Sequence, residues 1–271
     1  MYKCELCGKS FDKLTYDHVP PKVCGNDADL RGVKQQALIK DYKSGKERPY
    51  GELYQGGLKF KTLCSSCNNR LGENLDIELG EFCHQIRAAL ITGNNKIKIS
   101  CDISKVVKDV FAHIIAATAK PRTTDTTLIT SMKDYYWNNS IANIHLYFAV
   151  YPYLEKIFIA QDVFPVQDLN KHYRIKLDGN HIYCCLYFYP VAFIATDNPI
   201  FPVGIDLMNY LDKSSFTFGL EKNFWYSKDK KNLPISWPIN LSYNDYDEGV
   251  DMILSGEGIT STFVASEKLK I

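Results

Sequence analysis

The spacing of apolar residues changes twice along this chain and divides it into three regions. Residues 1 to about 72 show little periodicity and many turn residues, although residues 31–42 favour one short helix. Apolar side chains recur at steps of three and four over residues 69–92 and again over 104–119. We predict an amphipathic helix over each of these two ranges, the second with Ser104 as its N-cap.

From residue 144 onward the pattern is typical of β-strands. Aromatic and β-branched residues predict strands over 144–151, 156–160, 173–177, 181–189, 191–196 and 216–220. Residues 178–180, which read Asp-Gly-Asn, predict a hairpin turn between two of these strands. The chain is therefore predicted to be an α+β protein. An N-terminal module over 1–95 is followed by a mixed α+β domain with an antiparallel sheet over 96–271.

Two C-x-x-C pairs stand out in the N-terminal module. Cys4 with Cys7, and Cys64 with Cys67, each place two thiolates on one tight turn, and two such turns supply the four ligands of a tetrahedral zinc site. A redox dithiol would explain one pair but not both. We therefore predict a structural Zn²⁺ at these four cysteines. The other five cysteines are predicted to be small buried side chains: Cys24, Cys83, Cys101, Cys184 and Cys185.

Charge and composition indicate the class of protein and the kind of partner that its N-terminal part would bind. The chain is 45% hydrophobic and 23% charged, as is usual for a globular protein, with a net charge of +1. Lys and Arg outnumber Asp and Glu by 13 to 8 through residue 72, whereas the remainder has 19 against 23. This basic N-terminal part favours a phosphate-binding module. No stretch is long enough to span a membrane and no signal peptide is evident, so we expect a cytoplasmic protein.

Three residues near the cysteine pairs have the chemistry of phosphodiester hydrolysis. Asp17 and His18 lie between the pairs, and Asn68 follows the second pair at the start of a predicted helix. A neutral imidazole is a suitable base for an attacking water, and carboxylate and amide oxygens are suitable ligands for Mg²⁺ or Mn²⁺. If the zinc holds the strand against the helix, all three side chains converge on one point.

With these motifs, residues 1 to about 90 resemble the zinc-containing HNH endonucleases, also called ββα-metal nucleases. The resemblance rests on the first cysteine pair, the run from Asp17 to Pro21, and the run from Leu63 to Asn68. It implies a zinc-stapled ββα-metal fold in which His18 is the general base. It further implies that Asp17 and Asn68 hold the catalytic divalent ion, either Mg²⁺ or Mn²⁺.

The chain departs from the family pattern at one position. The family's middle asparagine, which orients the catalytic histidine, has no counterpart in residues 59–63, so that either Lys59 or a backbone carbonyl takes its place or the activity is weak. Basic residues near the motifs are candidates for phosphate contacts. They are Lys22, Lys59, Lys61 and Arg70. His113 falls near the apolar stripe of the second helix and is predicted to be a core histidine with satisfied hydrogen bonds.

The sequence thus predicts a metal-dependent endonuclease, with DNA favoured over RNA as substrate, and the resemblance suggests bacterial defence or restriction. The region 96–271 would select the target, regulate the nuclease, or mediate assembly with a second copy or a partner protein. The alternative is a zinc ribbon that binds nucleic acid without cutting it. A third interpretation is an adaptor in which zinc supports a protein-binding surface.

Overall fold

The computed structural model describes residues 1–34, 52–117, 127–151, 156–163, 183–197, 199, 204–219 and 261–268. In these ranges the strands are β1 (Tyr2–Lys3), β2 (Ser10–Phe11), β3 (Thr15–His18), β4 (Leu30–Lys34), β5 (Glu52–Tyr54), β6 (Lys59–Leu63), β7 (Lys96–Ile99), β8 (His145–Val150), β9 (Lys156–Val163), β10 (Tyr183–Phe188), β11 (Val191–Thr196), β12 (Ile205–Asp206), β13 (Phe216–Gly219) and β14 (Ser261–Lys268). The α-helices are α1 (Ser65–Asn74), α2 (Asp76–Thr92), α3 (Ile103–Ala116) and α4 (Thr127–Asn138). Two 3-10 turns span Lys22–Cys24 and Leu207–Tyr210.

The predicted α+β class with antiparallel pairing is confirmed. Eight strands form one antiparallel sheet in the order β12-β8-β11-β10-β9-β14-β4-β5. Strands β10 and β11 pair in register from Tyr183 opposite Thr196 to Phe188 opposite Val191. Both strands are buried along their whole length, which explains their nearly continuous apolar sequence. The predicted turn at 178–180 and strand at 173–177 lie outside the described residues.

Two smaller strand pairs position the N-terminal motifs. Strands β1 and β2 enclose the first cysteine pair, and β3 pairs antiparallel with β6 immediately before α1. The pairing of β3 with β6 shifts register between Thr15 and Asp17, where Tyr16 lies opposite two residues of β6, Lys61 and Thr62, so that β6 carries a bulge. The helix predicted over 31–42 is wrong at its start, because residues 31–34 belong to β4 and pair with β14; the rest of that range lies outside the described residues.

The helix predicted over 69–92 is in fact two helices that meet at Leu75. Helix α1 ends at Asn74, and α2 begins at Asp76, where a carboxylate near a helix N-terminus is favourable. Leu75 is buried, with φ −111° and ψ −47°. This break separates the end of α1 from the carboxylate of Asp76, and it is the part of the fold that matters most for the site described below.

Helix α3 confirms the second predicted helix but not its cap. Its N-cap is Asp102, whose side chain accepts a hydrogen bond from the backbone N–H of Lys105 at 3.1 Å. The hydroxyl of Ser104 instead lies 3.0 Å from the hydroxyl of Tyr135 on α4. Ser104 therefore joins two helices. It lies inside the first turn of α3, whereas Asp102 directly precedes the helix and is in the position to cap it.

Aromatic contacts join the helices to the large sheet and to one another. Phe82 of α2 meets Phe148 of β8 edge-on with ring centroids 5.0 Å apart, and Phe111 of α3 meets Tyr135 at 5.7 Å. Buried side chains from both sides of residue 95 belong to one hydrophobic cluster, while the domain boundary predicted there stays a prediction. In the ranges given above, no helix has the length and apolarity that a membrane crossing requires.

Candidate metal and histidine site

The four paired cysteines come together at the end of the β3–β6 strand pair where β6 leads into α1. Their sulfur atoms all lie within 4.8 Å of one another, and the sulfurs of Cys7 and Cys64 are 3.9 Å apart. A tetrahedral zinc with Zn–S bonds of about 2.3 Å separates its sulfurs by roughly 3.8 Å. The cluster is therefore able to hold a metal ion and is compatible with zinc, as the sequence predicted.

Local backbone geometry explains how the two pairs form one cluster. The N–H of Gly8, which has φ +73°, donates to the carbonyl of Cys4 at 2.9 Å and closes the first turn. The N–H of Cys64 points at the sulfur of Cys4 at 3.3 Å. A hydrogen bond from the thiol of Cys67, with further ones from the backbone, lowers the pKa of Cys4 to about 4. A thiolate, the form that binds zinc, is thus favoured at Cys4, whereas the hydrogen bond with Cys4 raises the pKa of Cys67 and burial raises the pKa of Cys7.

His18 ends strand β3 with one ring nitrogen held and the other available. Its Nε2 lies 3.0 Å from the carbonyl oxygen of Gly56, which can only accept, so the proton of the neutral ring resides on Nε2. In the described part of the chain nothing hydrogen-bonds to Nδ1, which therefore keeps its lone pair. The carbonyl of Gly56 takes the orienting role that the sequence left open between Lys59 and a backbone carbonyl.

Positive charge surrounds this imidazole. Lys59 stands directly opposite His18 where β3 pairs with β6, and both residues face the same side of this strand pair. Partial burial, together with the charges of Lys22 and Lys59, lowers the pKa of His18 below its usual value, although Gly56 and Asp17 act in the opposite direction. The ring is therefore neutral near pH 7, beside two cations that a phosphate group would meet.

Asp17 points to the opposite face of β3, into the interior. Its side chain is buried, and Oδ2 lies 3.1 Å from Nδ1 of His113 on α3. The other ring nitrogen of His113, Nε2, lies 3.2 Å from Asp76 and 3.4 Å from Asp109, which is one turn earlier on α3. His113 is therefore a core histidine, as predicted, but three carboxylates surround it.

The electrostatics of this cluster differ from group to group. Burial raises the pKa of Asp109 to about 7. Burial also opposes protonation of His113, but the carboxylates of Asp109 and Asp17 outweigh it and raise its pKa well above 6.5. For Asp76, burial acts to raise the pKa, but the hydrogen bond with His113, the charge of His113 and smaller contributions from Asp109 and His18 together outweigh it and lower the pKa. The cluster thus holds more carboxylates than one imidazole can neutralise.

The remaining predicted site residues lie in other surroundings. Asn68 donates from Nδ2 to the carbonyl of Tyr16 at 2.9 Å and to the hydroxyl of Thr15 at 3.2 Å, which ties α1 to strand β3 opposite the bulge. Its amide therefore contacts the strand that carries Asp17 and His18, but neither of these two side chains. The role of Asp17 and Asn68 as joint ligands of one ion stays a prediction.

The other two basic candidates, Lys61 and Arg70, lie over aromatic rings. The guanidinium of Arg70 lies 5.1 Å from the ring of Trp137 and 5.5 Å from that of Tyr136, and the Lys61 ammonium lies 5.6 Å from the Tyr16 ring. Both side chains remain exposed. Of the four candidates for phosphate contacts, only Lys22 and Lys59 lie beside His18.

Sequence reasoning missed Asp76 and Asp109. The spacing of Asp109 and His113, four residues apart on a helix, was a visible signal that both side chains share one helix face. No such signal indicated that Asp76 lies beside His113, because its position depends on the break between α1 and α2 at Leu75. Of the remaining cysteines, Cys101 is only half buried, whereas the other four are buried as predicted.

Comparison with known proteins adds no assignment. No protein-family model matches this chain, and no curated protein and no solved structure does so either.

Proposed function

We propose that this protein is a metal-dependent nuclease that hydrolyses phosphodiester bonds in nucleic acid, with DNA favoured over RNA. The observation that carries the proposal is the state of His18: Nε2 is held by a backbone carbonyl, Nδ1 is available, and the pKa is lowered. A neutral, oriented imidazole with one available lone pair is what a general base requires.

In the proposed reaction, Nδ1 of His18 takes a proton from the water that attacks the phosphorus. The carbonyl of Gly56 fixes the tautomer and the direction of the ring while the imidazole becomes charged. Lys59, on the same side as His18, and Lys22, whose charge acts on the ring, would attract the phosphate groups and position the scissile bond. A divalent ion, when bound, would stabilise the negative charge that develops on the phosphoryl oxygens.

The arrangement of the surrounding elements supports the same proposal. Strand β3 pairs antiparallel with β6, β6 leads directly into α1, and the cysteine cluster lies at the start of that helix. Asn68 ties α1 back to the first strand. This ββα order agrees with the resemblance to HNH endonucleases that the motifs indicated. A cytoplasmic role in defence or restriction rests on that resemblance alone.

The test is incubation of purified, zinc-loaded protein with plasmid DNA, single-stranded DNA and RNA in Mg²⁺ or Mn²⁺. We expect the wild type to cleave at least one substrate, and His18→Ala to lose cleavage while retaining its zinc. His84→Ala is the matched control, because His84 is an exposed histidine on α2 and not part of strands β3 and β6. Cleavage by His18→Ala at the wild-type rate would show that His18 is not the general base.

One observation favours a non-catalytic alternative. Asp17 faces the interior and Asn68 contacts backbone, so the ligand pair expected from the family pattern is not assembled beside His18. A zinc ribbon that binds nucleic acid without cutting it would show salt-dependent binding and no cleavage with any metal. A protein adaptor would show neither, and a partner protein would co-purify with it.

A further inference from the structure

We propose that Asp76, Asp109 and His113 form a second metal site, which takes a divalent first-row transition ion such as Mn²⁺. Carboxylate oxygens of the two aspartates and a ring nitrogen of His113 all lie within 4.8 Å of one another. The three residues come from the start of α2 and from successive turns of α3, which are rigid elements in the core. The site is separate from the cysteine cluster.

Unpartnered buried atoms support this assignment. Asp109 is fully buried, and neither of its carboxylate oxygens accepts a hydrogen bond from the described residues, although Nε2 of His113 lies 3.4 Å from Oδ1 as an ion-pair contact. The hydroxyl of Tyr136, which lies within electrostatic range of Asp109 and His113, is likewise buried without a hydrogen bond from that part of the chain. Burying a carboxylate without hydrogen bonds is costly, and a bound cation reduces that cost.

The second ring nitrogen of His113 is already occupied in the way that metal sites require. Asp17 lies 3.1 Å from Nδ1, so it holds the Nδ1–H tautomer and directs Nε2 toward Asp76 and Asp109. A carboxylate behind a metal-binding histidine fixes the ring and increases its basicity. Asp17 is therefore a positioning residue for the ion, and this accounts for its orientation away from His18.

The donor set indicates the kind of ion. Two carboxylates and one neutral imidazole carry a charge of −2, which a divalent cation balances. The imidazole disfavours Mg²⁺ and Ca²⁺, which prefer all-oxygen sites, whereas Mn²⁺ and its neighbours accept mixed oxygen and nitrogen ligands. The competing explanation is that protons alone neutralise the cluster. The two explanations differ in whether the protein takes up an ion.

In its catalytic role this assignment rests on the proposed function, because it names the ligands of the ion that the nuclease would use. Asp76 is the link: its side chain is 20% exposed, while Asp109 and His113 are at 0%, so that the site opens toward solvent at Asp76. The charge of His18 also acts on Asp76. The ion would therefore lie across strand β3 from the imidazole, at a site that faces the interior and opens to solvent at Asp76.

Binding is measured directly on zinc-loaded full-length protein. Mn²⁺ titration followed by electron paramagnetic resonance counts bound ions, and elemental analysis checks that the cysteine site keeps its zinc. We expect one Mn²⁺ per chain in the wild type. Asp109→Asn, which preserves shape, should weaken binding by at least about 100-fold, and Asp17→Asn by about 10–100-fold. Asp134→Asn, an exposed carboxylate on α4, is the matched control and should bind normally.

A second readout guards against variants that fold poorly. With Mn²⁺ at about 100 times its dissociation constant, the wild-type Tm should rise by roughly 5–10 °C. Asp109→Asn and His113→Gln should show no such rise, whatever their Tm without added metal. Wild-type protein that binds no Mn²⁺, or an Asp109→Asn variant that binds it as well as wild type, overturns the assignment. Binding without cleavage would instead defeat the proposed nuclease alone.

Discussion

Replacing Asn26 by alanine should destabilise the fold more than any other single amide substitution near the site. Asn26 is buried and bridges two segments through three hydrogen bonds. Its Nδ2 donates to the carbonyls of Pro20 at 2.7 Å and Leu58 at 2.9 Å, and its Oδ1 accepts from the Leu58 N–H at 2.7 Å. The bridge therefore connects the chain just after His18 to the chain just after Gly56.

The expected magnitude follows from these three bonds. Each contributes about 0.5–1.5 kcal/mol net, and a buried backbone group left without a partner costs about 1–3 kcal/mol. Because water can reach part of the space that the truncation creates, we expect the free energy of unfolding to fall by about 2–4 kcal/mol. For a chain of this size the Tm would drop by roughly 4–16 °C.

The assay is urea unfolding followed by circular dichroism, with the slope against denaturant used to check that both proteins unfold in the same way. Asn74→Ala is the matched control, since its exposed amide makes one 3.5 Å contact with the Arg70 carbonyl, and its effect should stay within about 0.5 kcal/mol. A loss under about 1 kcal/mol for Asn26→Ala would refute the bridge as a source of stability.

Three further results are expected. Cys64→Ser should lose the bound zinc in elemental analysis and lower the Tm, whereas Cys101→Ser should keep the metal; retention of zinc by both would contradict the four-cysteine site. Lys59→Ala should reduce the slope of log affinity against log salt on duplex DNA by about 0.9, with Lys98→Ala as the unaffected exposed control. Since burial lowers the pKa of His18, cleavage should be retained as pH falls to 6.5 and be lost only below it; a midpoint above 6.5 in the pH–rate profile would count against His18 as the base.

Local signals in the sequence were sufficient where a local rule determines the structure. The cysteine pairs needed only the geometry of two tight turns, and the stripes of α2 and α3 needed only helical periodicity. The strands β10 and β11 followed from two apolar runs, whereas their pairing with each other was not among the predictions, which placed a hairpin turn at residues 178–180. The helix α4 had a usable pattern as well, since Leu128, Met132 and Tyr135 recur at steps of four and three and are buried.

The parts that could not be predicted depend on tertiary packing. The break at Leu75 interrupts a continuous apolar stripe, so periodicity gave no warning of it. Asp17 and His113 are 96 positions apart, and nothing in either local sequence indicates that they meet. The strand β7 has four residues with alternating burial, which is too short for its pattern to stand out without its partner β13.

The edge of the large sheet is mechanically connected to the imidazole. Strand β5 pairs with β4, β4 pairs with β14 from the far end of the chain, and only Gln55 separates β5 from Gly56. The carbonyl of Gly56 is the group that fixes the ring of His18. Any displacement of that sheet edge would therefore reach the hydrogen bond that holds the ring through two residues of backbone, Gln55 and Gly56.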